Sequence, residues 1–302
     1  MSAPTVIAVF GPTGVGKTAV AVALAERLRA DGEDPVAVSA DALQVYRGLE
    51  ILTGAATADE RRRLEHRLLG IVAVDQTFSA GTYAKLAHAE IDALLAAGRR
   101  PIVVGGTGLY LRAALADLEL RPPVAAATRA HWTSELQAHG APALHAELAR
   151  RDARAASGIA ATDGRRIARA LELIEAGHAP PPAAGAPSQL WAEQTRHPTL
   201  LAALTMDRER LYARIERRID RMLADGAPAE VRAAAAAGAS PTARAAVGFE
   251  ELLAGDVEAM RTRTRRYAKR QLTWLRKLPG ATAFDVTDRS PEQVAAAIHA
   301  II

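Results

Sequence analysis

The octapeptide GPTGVGKT, residues 11–18, has the residue types and spacing to hold phosphate, matching G-x-x-x-x-G-K-[ST]. Gly11, Gly14 and Gly16 allow backbone N–H groups to turn inward, a helix starting at the loop adds partial positive charge, and Lys17 adds a full one. Pro12, Thr13 and Val15 complete the loop, and the Thr18 hydroxyl can ligate Mg²⁺. Whose phosphate it holds is a separate question. Enzymes that hydrolyse or transfer phosphate from such a loop use an Asp at the end of another strand to help hold the metal. Here Asp41, in SADALQVY, lies just beyond an apolar run, where it can act as metal helper, as general base, or as the N-cap of a helix. Thr107 in GGTGLY and Arg218 in RLYARIERRIDRML are further candidates; taken alone they read as a strand-end turn residue and a helix-surface cation. This set is compatible with a small-molecule or nucleoside kinase in which Asp41 deprotonates a hydroxyl that attacks ATP.

A second signal lies at 261–277, RTRTRRYAKRQLTWLRK, with eight Arg or Lys, no acid, and Tyr267 and Trp274 among them. Cations interleaved with aromatics suit a nucleic-acid surface. A solvated basic helix face has the same composition. The segment also admits a nucleic-acid-stimulated ATPase or a non-catalytic RNA-binding module, although neither gives work to Asp41 and Thr107.

The elements that must position these residues follow from periodicity. An apolar run at 5–10 feeds the glycine-rich loop and then a helix ending near Gly32; runs at 36–39 and 101–104 repeat the strand pattern, with a helix over 79–97 between them closed by Gly98. The expected fold is α/β, a P-loop NTPase-like parallel sheet flanked by helices, with an inserted small helical domain. The core's first part spans 1–120 and the insertion 121–198, with helices expected at 127–139, 142–151 and 162–176 between proline-rich stretches at 121–127 and 177–189. The core resumes over 199–302, with a strand at 199–206, a basic helix, and a possible last strand at 281–286.

Composition limits the rest. The 302 residues are 49% hydrophobic and 24% charged, which fits an ordinary globular protein. The absence of cysteine removes disulfides, thiolate metal sites and cysteine nucleophiles. The net charge is only +4 but the sequence pI is near 9.7, and the basic residues are clustered. The run from Val6 to Phe10 is too short for a signal peptide or membrane span, so a cytoplasmic protein without membrane attachment is expected. No self-complementary apolar stripe is evident, and a monomer is expected.

Taken together, GPTGVGKT, SADALQVYRG, EHRLLGI, VVGGTGLYLRA, TDGRRIARALE, RLYARIERRIDRML, AAVGFEEL and RRYAKRQLTWLR resemble the tRNA dimethylallyltransferase family, in the right order from residue 5 to about 278. The combination of D-x-x-Q-x-Y, G-G-T-x-L-Y and K-R-Q-x-T-W carries the resemblance. It implies transfer of a dimethylallyl group from dimethylallyl diphosphate to N6 of the adenosine at tRNA position 37, with Mg²⁺ and release of diphosphate. Loop 11–18 would then hold the donor's diphosphate; Lys17, Thr18, Thr107 and Arg218 would neutralise it as it departs, and Asp41 would accept the N6 proton. For the tRNA anticodon stem-loop, the resemblance implies that Asp41, Ala42, Leu43 and Gln44 read the extruded adenine beside Thr107. Arg165, Arg166, Ile167, Ala168 and Arg169 of the insertion would grip the stem-loop. Arg129, Arg244, Phe249, Lys269, Arg270, Gln271, Trp274 and Arg276 would contact backbone or flanking bases. Three positions depart from the family pattern: Ala42 replaces Ser, Ala56 replaces Lys, and Phe249 replaces Tyr.

Overall fold

Short, fully apolar runs become strands covered on both faces. In the computed structural model, which describes residues 5–180 and 189–302, six strands form one parallel sheet. They are β1 (Val6–Phe10), β2 (Pro35–Ser39), β3 (His66–Arg67), β4 (Arg100–Gly105), β5 (Thr199–Thr205) and β6 (Ala281–Asp285), arranged β3-β2-β4-β1-β5-β6. Every residue of β1 and β2 is buried. The two-residue β3, paired through Ala37 with His66 and Val38 with Arg67, is too short to show a sequence period and was not expected.

Register determines what the sheet presents. Phe10 of β1 pairs with Gly105 of β4, and Ser39 of β2 pairs with Val104, so these strands end nearly level. The loops at 11–18, 40–46 and 106–108 therefore emerge side by side at the carboxyl edge, where open parallel sheets bind ligands. Gly105 permits the β2–β4 approach: a Cβ there would lie 2.1 Å from the Ala40 carbonyl oxygen. Gly16, with φ of 100°, supplies the left-handed residue that turns the phosphate loop into the helix Lys17–Ala30.

Two later helices close over this edge. Helix Arg208–Ala224 is capped by Asp207, whose Oδ1 accepts from the N–H groups of Glu209 and Arg210, and it buries Leu211, Ile215, Ile219 and Met222. Helix Val257–Leu275, capped by Asp256, buries Met260, Thr264, Ala268, Gln271 and Leu275 at spacings of three or four, so its inner face is the small and polar seam of an otherwise basic sequence.

The chain divides into two compact units, Met1–Leu118 with Leu190–Ile302, and Glu119–Gln189. The smaller unit has helices Ala126–Arg151, Ala153–Ser157 and Gly164–Glu175 around a core that includes Trp132, Leu144, Leu148, Ile167 and Leu171. Its long helix breaks at Gly140, which has φ of 75°, just before Pro142, so the segments expected at 127–139 and 142–151 are distinct helical pieces. Of the proline-rich stretch at 177–189, residues 181–188 lie outside the described residues.

Gly105→Ala is expected to lower the unfolding free energy by about 1–3 kcal/mol, because the added methyl meets backbone rather than a movable side chain. A urea midpoint equal to that of the unsubstituted protein would show that β2 and β4 have room for it.

Candidate active site

Within the larger unit, the loops at the ends of β1, β2 and β4 and the helix Arg208–Ala224 line a cleft of about 860 Å³. Lys17 enters from the phosphate loop. Its Nζ donates to the carbonyls of Gly11 and Pro12, each at 3.0 Å. Removal from water, reinforced by the Arg218 guanidinium and opposed by Asp41, pushes its pKa down to about 8. Arg218 donates through Nη2 to the Thr53 carbonyl at 3.0 Å and lies so close to Gly54 that a Cβ there would be 1.9 Å from the guanidinium. Its pKa is also lowered, first by desolvation, with Asp41 acting in the opposite sense. Two cations are thus held in a partly dry space with no carboxylate in direct ion-pair contact among the described residues, Asp41 offsetting both in part.

Asp41 is fixed by one oxygen. Its Oδ1 accepts from the backbone N–H groups of Leu43 at 2.9 Å and Gln44 at 3.4 Å, so it caps a turn rather than the helix N-terminus expected. Oδ2 accepts no hydrogen bond from the described residues. Gln44 accepts through Oε1 from the Ser39 hydroxyl and donates through Nε2 to the Gly54 carbonyl at 3.3 Å, linking this turn to the one that holds Arg218. The Thr107 hydroxyl accepts from the Ala42 N–H at 3.4 Å and lies 3.4 Å from the Tyr267 hydroxyl. The Ala42 contact uses backbone, so the family's serine is not needed for it. Burial raises the Tyr267 pKa, with a smaller contribution from Asp41, and keeps that hydroxyl protonated as a donor.

Helix Arg208–Ala224 supplies charge beyond Arg218. Arg214, Arg217, Arg218 and Arg221 all line the cleft, as does Arg61. Arg214 lies against the phosphate loop: a Cβ on Gly16 would be 3.1 Å from its guanidinium. Desolvation first, then repulsion from Arg217 and Arg221, lowers the Arg214 pKa. Among the described residues, Arg61, Arg214, Arg217 and Arg221 have no ion-pair partner. The i, i+3, i+4, i+7 spacing of Arg214, Arg217, Arg218 and Arg221 is the signal the sequence offers. Ala56 lines the same cleft, so these arginines carry positive charge near the position of the family's usual lysine.

Several other expected contacts lie elsewhere. Gln271 is buried, with Oε1 accepting from the Thr13 N–H and Nε2 donating to the Gly106 carbonyl, both at 2.8 Å. It ties the phosphate loop to the β4 turn while lining the cleft, its amide oxygen and nitrogen each engaged by backbone. Phe249 is fully buried beneath the Arg244 guanidinium, 5.2 Å away, so no base can stack on it; Arg244 itself holds Glu250 through two hydrogen bonds. Ile167 and Ala168 are core residues of the smaller unit, and Arg169 is engaged by Glu172 and the Pro122 carbonyl, whereas Arg129, Arg165 and Arg166 are exposed. In the basic helix, Arg261 and Arg265 pair with Glu216 and Arg263 with Glu251. Lys269, Arg270 and Arg276 remain on the exposed side, and Trp274 is half-buried.

The sequence profile described as IPP transferase matches residues 44–278. A tRNA dimethylallyltransferase of Thermobifida fusca is 44% identical over 287 residues, covering 91% of this chain and 88% of that protein. One of Streptomyces griseus is 42% identical over 287 residues with the same coverage of both chains. Among solved structures, the tRNA isopentenylpyrophosphate transferase of Bacillus halodurans superposes with a TM-score of 0.68 at 33% identity, covering 98% of this chain and 95% of that one. A eukaryotic dimethylallyltransferase acting on tRNA gives a TM-score of 0.73 at 24% identity, over 98% of this chain and 77% of that one, and shows the shared fold. The chain belongs to the IPP transferase family, the family of the tRNA dimethylallyltransferases. The kinase reading has no comparable support.

Gln271→Leu keeps most of the side-chain volume but leaves the Thr13 N–H and Gly106 carbonyl without their partner. It is expected to cost about 1–3 kcal/mol of stability, measured by equilibrium urea unfolding; an unchanged midpoint would mean that the two loops hold together without it.

Proposed function

We propose that the protein transfers the dimethylallyl group of dimethylallyl diphosphate to N6 of the adenosine at position 37 of tRNA, beside the anticodon, and releases diphosphate. The observation that carries this reading is the shared cleft: a cradle of Lys17, Arg218 and the loop N–H groups stands with a carboxylate that is fixed by one oxygen and open at the other. An adenine amino group is a weak nucleophile because its lone pair is delocalised into the ring. Stabilising the leaving group is therefore the larger task. N6 attacks C1 of the donor as the C1–O bond breaks; the bonding pair leaves on diphosphate and the N6 proton passes to Asp41.

Lys17, Arg218 and Arg214 meet the charge that grows on the diphosphate, an interaction stronger in the transition state than in the ground state. Thr107 and Tyr267, through their hydroxyls, orient the acceptor beside Asp41. Among the described residues no group of three or more His, Cys, Asp or Glu converges to hold a metal. The donor set suits Mg²⁺ arriving with the diphosphate, since this ion takes few protein oxygens and keeps phosphate oxygens and water. Thr18, lining the cleft, would hold it and leave Asp41 Oδ2 open for the proton, and the ion would supply further charge neutralisation. For the tRNA backbone, Lys269, Arg270 and Arg276 on the basic helix and Arg129, Arg165 and Arg166 on the smaller unit offer exposed cations.

The reading is tested by incubating the protein with Mg²⁺, dimethylallyl diphosphate and unmodified tRNA carrying adenosines at positions 36–38, then digesting and weighing the nucleosides. Prenylated adenosine is expected; its absence with folded protein rejects the proposal. Asp41→Asn is expected to lower kcat by about 10²–10⁴ with tRNA affinity retained, whereas a comparable loss of affinity would make the residue structural.

Lys17 gives a pH signature. Its cation is needed for diphosphate capture and is lost in the free enzyme as pH rises through about 8. The value of kcat/KM for the donor should fall above that pH, since this ratio reports the free enzyme. Stability moves the other way: the unfolded chain keeps the Lys17 proton up to its ordinary value of 10.5, so between 8 and 10.5 rising pH favours the fold. A donor kcat/KM independent of pH from 7 to 9.5 would contradict the cradle role.

A further inference from the structure

The basic helix carries an aromatic feature that the catalytic cleft does not use. Trp191, on the 3₁₀ turn Gln189–Trp191, meets Trp274 with ring centroids 4.7 Å apart and planes inclined by 47°. Both indoles are half-buried. That inclination prevents the two rings from covering each other as a parallel stack would. Trp274 is seated on the β4 turn: a Cβ on Gly108, the residue after Thr107, would lie 2.2 Å from its Cε3. The pair therefore adjoins the turn that presents Thr107. Tyr267 lies seven residues before Trp274, on the same helix face and roughly 10 Å away along the axis.

Each end of this row has a cation above a ring. Lys277 Nζ is 5.5 Å from the Trp191 centroid and the Arg270 guanidinium is 5.5 Å from that of Tyr267. Both cations are exposed, and neither pairs with an acid among the described residues. Arg261, Arg263 and Arg265, by contrast, are spent on glutamates. Aromatic faces with unspent cations beside them fit a single-stranded polyanion whose bases are apolar on both faces.

We propose that Trp191 and Trp274 form a stacking platform for an unpaired base adjoining the target adenosine, with Lys277 and Arg270 moving from the rings to the flanking phosphates. This rests on the tRNA-modifying reading above and adds Trp191 as a binding residue. An exposed cation–π contact is weaker than base–aromatic stacking, so an arriving base displaces Lys277 from the indole. The released ammonium then meets phosphate. The platform is sequence-tolerant because every base presents a π-face, and it holds the neighbour of the target while the target itself turns into the cleft.

The experiment uses the full chain and anticodon stem-loops carrying 2-aminopurine at position 36 or 38, whose emission falls on stacking. Wild-type protein is expected to quench one of the two positions, and Trp191→Ala to abolish that quenching. The same variant should raise KM for the RNA about five- to a hundredfold while kcat and the donor KM hold; Trp191→Phe should restore most of the affinity. Trp191→Ala with wild-type quenching and wild-type RNA KM overturns the platform. If wild-type protein prenylates the RNA yet quenches neither position, the platform alone falls; if it prenylates no RNA, the parent reading falls with it.

Discussion

The structure depends on confining more positive charge at the end of β1 than the neighbouring carboxylates balance. Lys17, Arg214 and Arg218 lose water and repel their neighbours, and Asp41 is the anion that offsets Lys17 and Arg218. Backbone carbonyls supply the remaining support, those of Gly11 and Pro12 for Lys17 and that of Thr53 for Arg218. Such a site is poised for a ligand with several charged oxygens. A diphosphate that becomes more negative as it leaves suits it better than a neutral group would.

Holding that arrangement falls to residues distant in sequence. Gln271 bridges the phosphate loop and the β4 turn from a helix more than 160 residues away from either. Glu230 accepts from the N–H groups of Ile51 and Leu52 at 2.9 and 2.8 Å, fixing the turn whose carbonyls take Arg218 and Gln44. The Tyr83 hydroxyl donates to the Ser39 carbonyl at the end of β2, and its ring packs on Tyr110 with centroids 4.5 Å apart. Tyr46 and Tyr110, both part of the motifs that carry the family resemblance, are therefore scaffold groups: Tyr46 is buried and reaches Thr242 at 2.6 Å. The motifs record the loops' support as much as their chemistry.

What could be read in advance follows the range of each interaction. The phosphate loop is local, eight residues between a strand and a helix, so its type and place were legible. The parallel α/β core was legible because each strand is an apolar run with its own flanking signals. The convergence of Asp41 with Thr107 was legible only through resemblance, since it depends on β4 lying between β1 and β2. Charge runs misled in part. Eight cations in 261–277 looked like one surface, but three of them meet glutamates on other helices, and those pairings have no local signature. The burial of Phe249 has a related cause: it depends on packing that the ring's neighbours in sequence do not reveal.

The central claim is that the loop at 11–18 grips the diphosphate of an allylic donor with its reactive carbon turned toward Asp41. A crystal structure with a thio-linked, unreactive dimethylallyl diphosphate tests it most directly. The account predicts both phosphorus atoms within the loop, oxygens on Lys17 and Arg218, and C1 on the side of Asp41 Oδ2. An analogue bound outside the loop, or seated with its hydrocarbon turned away from Asp41, would contradict it.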